Sequence, residues 1–244
     1  MTVSIIVGMG EVGKALREVL QSAHETHGWD TKGDRETGRD INQLAYCLEP
    51  HPFKVLHICF GYSDGFVEAV KDYQALFMPK YTIVHSTTPV GVCRALGVYH
   101  SPVRGIHPHL AESMRIFTTY LAPRNPELEH YLKAAGFKVQ CVSDSDETEA
   151  GKLWCLAAYA WSIMLEKEIY RYCQEKGLDF KVVYTHFTHT YNDGYGDMGM
   201  FKFQRPVLEH IDGKVGGHCV IPGTEKLSGD SFLADLILRM NEAW

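Results

Sequence analysis

Short apolar runs alternate with stretches of helical periodicity through the first half of the chain, the pattern of an α/β domain with a mainly parallel sheet. Val3 to Val7 reads as a buried strand. Glu11 to about Ala23 reads as a helix presenting Val12, Ala15, Leu16, Val19 and Leu20 on one face. Lys54 to Phe60 predicts a second clear strand, followed by a helix that Ser63 caps and that runs through about Phe77. Tyr81 to His85 predicts a third strand, with weaker patterns near His27 to Thr31, Gly97 to His100 and Phe137 to Val142.

From Glu147 to Lys176 the period changes. One long helix is predicted there, with Leu153, Leu156, Ala157, Ala160, Met164 and Ile169 as its core stripe and Gly177 at its end. After Asp193 the glycines at 194, 196, 199, 213, 216 and 217 predict irregular chain. Neither an internal repeat nor a low-complexity tract interrupts the sequence.

The most specific motif is Gly8-Met9-Gly10-Glu11-Val12-Gly13, placed directly after the first strand and directly before the first helix. In that context Gly8 permits a tight turn, Gly10 admits a pyrophosphate to the backbone, and Gly13 lets the helix pack closely on the sheet. The N–H groups of Glu11, Val12 and Gly13 at the helix start carry partial positive charge and suit phosphate. The alternative is a tight strand-to-helix turn that holds nothing. The nucleotide reading makes residues 1–146 a Rossmann-type, doubly wound, mainly parallel domain, and residues 147–244 a smaller, mainly helical region for substrate and dimerisation.

In such a domain the second strand ends in an acid for the adenosine ribose, about twenty residues beyond the glycines. Asp30 is placed for this, with Asp34 in reserve; the alternative for Asp30 is a solvated turn residue. An acid repels a ribose phosphate and so favours NAD, whereas the neighbouring Lys32 and Arg35 leave NADP open.

Composition narrows the partners. Of 244 residues, 45% are hydrophobic and 22% charged, an ordinary globular balance. A net charge of -6 gives no general attraction to nucleic acid or anionic lipid, so an anionic ligand needs local donors. No apolar run approaches the roughly eighteen residues of a membrane helix, and no signal peptide opens the chain; a cytoplasmic protein is expected. Seven scattered cysteines argue against a disulfide framework, and Cys59 and Cys155 are expected in the core. The histidines, His107, His109, His186 and His189 among them, match no zinc spacing, so no metal is expected.

Four further strings, in order, resemble the UDP-glucose/GDP-mannose dehydrogenase family, which belongs with the 6-phosphogluconate dehydrogenase-like enzymes. His85-Ser86-Thr87-Thr88-Pro89-Val90-Gly91 is similar to the family's S-T-V-P-x-G loop, and Ser101-Pro102-Val103-Arg104 to its S-P-E-R segment. Glu149-Ala150-Gly151-Lys152 resembles the start of its central helix, where the lysine is catalytic. Gly216-Gly217-His218-Cys219 resembles the motif carrying its nucleophilic cysteine. The resemblance implies an NAD-dependent dehydrogenase acting on a CH–OH group, with nucleotide sugars among its substrate classes, and a homodimer formed through the central helical region. It also implies a shortened form, since the family's full-length enzymes carry a further C-terminal domain for the sugar nucleotide.

The chemistry of these residue types is coherent. A lysine ammonium at 152 can stabilise the alkoxide that develops as hydride leaves a carbinol carbon. A thiolate at Cys219 can attack the resulting aldehyde and carry a second oxidation. Ser86 and Thr87 fall at a strand's C-terminal end, where open sheets place ligands. Asn192, Arg205 and His218 are candidates for the substrate, although Asn192-Asp193-Gly194 reads equally as a turn.

Three positions depart from the family pattern: Val103 stands where it has glutamate, Leu156 where it has asparagine, and Gly223 where it has aspartate. These departures favour a two-electron oxidoreduction over alcohol-to-acid oxidation, and they sustain the rival reading of a dinucleotide-binding protein without catalysis. His107-Pro108 is similar to the H-P element of prephenate dehydrogenases, a further enzymatic alternative.

Overall fold

The computed structural model describes residues 2–31, 40–49, 51 and 53–244. The chain divides into two compact units, residues 1–152 and 153–244. Among the described residues no helix is long and apolar enough to cross a membrane.

In the first unit five strands, β1 (Val3–Val7), β2 (Glu25–Trp29), β3 (Lys54–Ile58), β4 (Tyr81–Val84) and β5 (Tyr99–His100), form one parallel sheet in the order β2-β1-β3-β4-β5. The connecting helices are α1 (Glu11–Leu20), α2 (Ile41–Leu48), α3 (Phe66–Phe77) and α4 (Val92–Leu96). Beyond them come α5 (Leu110–Ile116), β6 (Thr118–Leu121), α6 (Pro126–Ala134) and β7 (Lys138–Cys141). Strands β6 and β7 pair in parallel, and an antiparallel bridge between His100 and Ala122 joins β5 to the segment after β6.

Because successive side chains in a strand point to opposite faces, the sheet has two cores. Val3, Ile5 and Val7 of β1 pack with Leu56, Ile58, Leu44, Phe66, Val70 and Phe77. On the other face Ile6 packs with Val55, Ile83, Leu16, Val19, Leu20, Leu128 and Leu132. Both faces of β1 and β3 are therefore covered, which is why these strands read as continuous apolar runs.

Several elements differ from the sequence expectation. Helix α3 starts at Phe66 with Gly65 in the capping position; Ser63 accepts the Phe66 N–H through its carbonyl at 3.0 Å, while its hydroxyl turns to the Asp64 carbonyl and caps no helix N–H. Helix α6, capped by the Asn125 side chain and opened by Pro126, was hidden between weak strand signals. Cys155 is exposed, not in the core, while Cys59 is half-buried against the α1-side core.

Helix α7 (Ser145–Lys176) begins in the first unit and continues as the longest helix of the second. There Leu153 and Ala157 pack with Leu227 and Ala234, and Ala160 and Met164 with Ile237. The chain after Asp193 is irregular as expected from Met198 to Cys219, apart from a 3-10 turn at Phe201–Phe203, but helices bound it: a π-helical turn (Lys181–His186) leads into α8 (Phe187–Asp197), and α9 (Val220–Glu225) and α10 (Phe232–Glu242) follow. Asn192, Asp193 and Gly194 thus lie within a helix and form no turn. Helix α8 buries none of its side chains, so it has no apolar stripe to betray it in the sequence. The segment before Cys219 is held to α7 by buried Lys167, which donates to the carbonyls of Ile211 and Gly213, and by Glu166, 2.9 Å from His210 Nδ1.

Candidate functional site

The turn after β1 is built around contacts that tolerate no side chain. Gly8 has φ +95°, and a Cβ there would lie 2.7 Å from the Phe60 nitrogen beyond β3. A Cβ on Gly13 would meet the Gly8 carbonyl oxygen at 2.0 Å, so α1 rests directly on the turn. Gly10 is different. It has ordinary backbone angles and open space on its Cβ side, and as the capping residue of α1 it brings no side chain over the helix end. Two glycines make the turn and the third keeps it open, an arrangement that fits a pyrophosphate set against the helix N-terminus. Glu11 is exposed at that end, 2.7 Å from His107 Nδ1, and Val12 is half-buried.

Asp30 directly follows β2, and its Oδ2 accepts the Met9 N–H at 2.8 Å. The acid expected near the ribose is thereby tied to the glycine turn itself. Asp34, Lys32 and Arg35 lie outside the described residues.

The next loops line the same C-terminal edge of the sheet. After β4, the Ser86 hydroxyl donates to the Phe60 carbonyl, and Thr87 follows it half-buried. His100, with its ring neutral, donates from Nε2 to the Ser86 carbonyl at 3.2 Å and lies 2.8 Å from the Thr148 hydroxyl through Nδ1. After β5, the Val103 carbonyl accepts from Lys152 Nζ at 2.9 Å. This brings Lys152, half-buried on the second turn of α7, to the edge that carries Ser86 and Thr87.

Sequence reasoning gave no part to Glu149, yet its carboxylate organises the loop. Fully buried, it accepts from the Thr88 hydroxyl at 3.0 Å and the Cys93 N–H at 2.9 Å on one oxygen, and from the Gly91 N–H at 2.7 Å on the other. Burial and the nearby Glu149 carboxylate both push the Cys93 thiol up. The available signal was a glutamate within the quoted Glu149-Ala150-Gly151-Lys152 string.

A polar chain also crosses the apolar layer on the α1 side of the sheet. His85 Nδ1 donates to the Ser101 carbonyl at 2.8 Å, which leaves its Nε2 to accept from His57 Nδ1 at 2.9 Å. His57 Nε2 then accepts from the Tyr131 hydroxyl at 2.8 Å, and that oxygen accepts from Ser4 at 2.6 Å. Every link runs in one direction only with both rings neutral. Burial pushes His85 and His100 down to about 4, and burial followed by the neighbouring His85 and His24 holds His57 well below the usual histidine range.

The second unit presents its candidates separately. Cys219 is exposed in the capping position of α9, after His218, also exposed, and Gly217 with φ +88°. Asn192 and Arg205 are brought together, but with each other. The Asn192 amide donates to the Arg205 carbonyl at 2.8 Å and accepts its N–H at 2.9 Å, while the guanidinium lies over the Tyr191 ring. Leu156 and Gly223, two of the departures from the family pattern, are in contact: a Cβ on Gly223 would lie 2.5 Å from Leu156 Cδ1. Among the described residues no three His, Cys, Asp or Glu side chains are grouped as a metal site.

No known family profile and no curated protein matches the chain in sequence. Solved structures do match. A 3-hydroxyisobutyrate dehydrogenase of Mycobacterium tuberculosis, determined with L-serine, aligns over 100% of this chain and 93% of its own at 13% identity, with TM-score 0.67. A conserved protein of unknown function, described as similar to 3-hydroxyacid dehydrogenases, aligns over 99% of this chain and 96% of its own at 12% identity, with TM-score 0.63. The chain has the 3-hydroxyacid dehydrogenase fold. Within that fold an NDP-N-acetyl-D-galactosaminuronic acid dehydrogenase from Methanosarcina mazei Go1 also aligns, over 99% of this chain at 14% identity and TM-score 0.64. This chain spans 66% of the length of that structure.

Proposed function

We propose that the chain is an NAD(P)-dependent oxidoreductase acting on the CH–OH group of a small polar substrate. The observation that carries this reading is the glycine turn: Gly8 and Gly13 closed by backbone contacts, Gly10 open, and Asp30 bonded to Met9 at the point where strand order reverses between β1 and β3. Gly8, Gly10, Gly13 and the N–H groups of Glu11 and Val12 would hold the phosphates. Asp30 would face the adenosine ribose, and its charge favours NAD over NADP. Ser86 and Thr87 would line the nicotinamide half. The cofactor supplies a hydride acceptor or donor; Lys152 is the proposed group that stabilises the alcohol oxygen, and its bond to the Val103 carbonyl holds it at the sheet edge.

Cys219 is proposed as a second reactive group, supported by its exposure and its glycine flank. The contact between Leu156 and Gly223 favours a two-electron reaction, since an apolar contact occupies the positions where the resembled family has asparagine and aspartate. That same contact supports the second reading, a dinucleotide-binding protein without catalysis. Nucleotide sugars and small hydroxy acids are the substrate classes to screen.

A homodimer is also proposed. Trp154, Trp161, Leu165 and Tyr172 are exposed along α7 at spacings of one helix face, and Phe187 and Tyr191 are exposed on α8. Apolar surface on this scale marks an interaction site, and a second copy presenting the same face is its proposed occupant.

Calorimetric titration with NADH and NADPH tests the central reading. Micromolar binding of one of them is expected, lost in Gly10→Val. Absence of binding by either overturns it. Hydride transfer with a candidate substrate, abolished in Lys152→Met, separates the enzyme from the non-catalytic alternative.

A further inference from the structure

We infer that Glu149 is a positioning residue, which fixes the loop after β4 at the height where it meets the nicotinamide half of the dinucleotide. The inference rests on the cofactor reading above and extends it to one half of the site.

A fully buried carboxylate is costly unless donors surround it, and Glu149 collects three from a segment of six residues: the Thr88 hydroxyl and the Gly91 and Cys93 N–H groups. These donors do not belong to its own helix. The bonds tie the start of α7 to the loop joining β4 and α4, including Gly91, whose φ of +92° turns its N–H inward. The other end of the loop is fixed independently, by the Ser86 hydroxyl on the Phe60 carbonyl and by His100 on the Ser86 carbonyl. Thr87 is the one residue between these two anchorages. Its place at the sheet edge is set from both sides, by β3 and β5 before it and by Glu149 after it.

Position along the edge says which ligand half is affected. The order β2-β1-β3-β4-β5 puts Asp30 on the β2 side of the glycine turn and the Ser86-Thr87 loop on the opposite side. A dinucleotide bound across the reversal point sets one mononucleotide on each side. With the adenosine half toward Asp30, the nicotinamide half falls to the loop that Glu149 holds. Three residues further along the same helix, Lys152 is bonded to the Val103 carbonyl, so the Glu149 contacts also hold that loop in register with the proposed catalytic lysine.

The test compares two ligands on the full chain. Dissociation constants for the reduced dinucleotide and for ADP-ribose, which lacks nicotinamide, are measured on wild type, Glu149→Gln and Thr88→Val. Glutamine keeps the volume but turns an NH2 group toward backbone N–H donors, and valine removes only the hydroxyl donor. Weakening of about tenfold for the dinucleotide is expected in Glu149→Gln, the scale of one charge-assisted hydrogen bond, with ADP-ribose unchanged. A smaller change in the same sense is expected in Thr88→Val, which serves if the glutamine variant does not fold. Equal weakening of both ligands would mean a merely structural role, and no weakening of either would mean no role; each outcome overturns the inference. Wild type that binds neither ligand overturns the cofactor reading itself, and this inference with it.

Discussion

Leu156 fills the space that a side chain at Gly223 would need: a Cβ on Gly223 would lie 2.5 Å from Leu156 Cδ1 and 3.3 Å from its Cβ. The two positions, far apart in sequence, therefore form one packing unit joining α7 to α9, and the two departures from the resembled family are coupled. Moving the Leu156 terminus relieves the 2.5 Å clash but leaves the Leu156 Cβ in tight contact at 3.3 Å.

Gly223→Ala should accordingly destabilise the protein by about 1–3 kcal/mol through overpacking. Leu156→Ala combined with it should cost less than the sum of the two single changes, by about 0.5 kcal/mol or more. Urea melts of the four proteins complete the cycle. Strict additivity would show the two residues to be independent.

Gly10 and Gly13 should respond differently to the same change. Gly10→Ala adds a methyl group into open space and should leave the melting temperature within the range of a surface substitution, about 0.5 kcal/mol. Gly13→Ala drives a carbon to 2.0 Å from the Gly8 carbonyl oxygen and should destabilise by about 3 kcal/mol or more. Thermal denaturation without ligand checks this, and equal melting temperatures would contradict the packing of α1 on the turn.

Stability should fall in mild acid. Burial depresses His85 and His100 to about 4 in the folded protein, and His57 is depressed in the same direction. In the unfolded chain these rings take up protons as pH falls through about 6.5, while the folded protein does not. The unfolded state thus binds more protons between about 6.5 and 4, and stability is lost as pH falls through that window. For His85 and His100 the full loss is on the order of 3 kcal/mol each, with no contribution from these groups above about pH 7.5. Urea midpoints from pH 8 to 5 measure it, and His100→Asn should shallow the slope. A flat profile below pH 6.5 would argue against neutral, buried rings.

The exposed face of α7 should respond to charge. Trp161→Glu with Leu165→Glu is expected to convert a dimer to a folded monomer, seen by sedimentation equilibrium with unchanged far-ultraviolet circular dichroism. A wild-type monomer at micromolar concentration would remove the proposed second copy.

The adenosine side of the site was legible because it is local. Gly8, Gly10 and Gly13 fall within six residues between a strand and a helix, and Asp30 ends the next strand, so short-range pattern sufficed. Glu149 was not legible as a functional residue. Its three partners lie more than fifty residues earlier in the chain, and a glutamate in a helix otherwise reads as a solvated charge. Helix α8 was hidden for the opposite reason, because it buries nothing and carries two glycines.

By itself the sequence determined the parallel sheet, the glycine turn and the long helix, because each is written as a periodicity or a spacing within one element. Only the tertiary structure decided that Asp30 bonds to the turn, that Asn192 and Arg205 bind each other, that Leu156 occupies the space beside Gly223, and that three buried imidazoles stay neutral. These depend on which groups from different elements meet when the chain packs, and for the imidazoles on a burial that makes a positive charge costly.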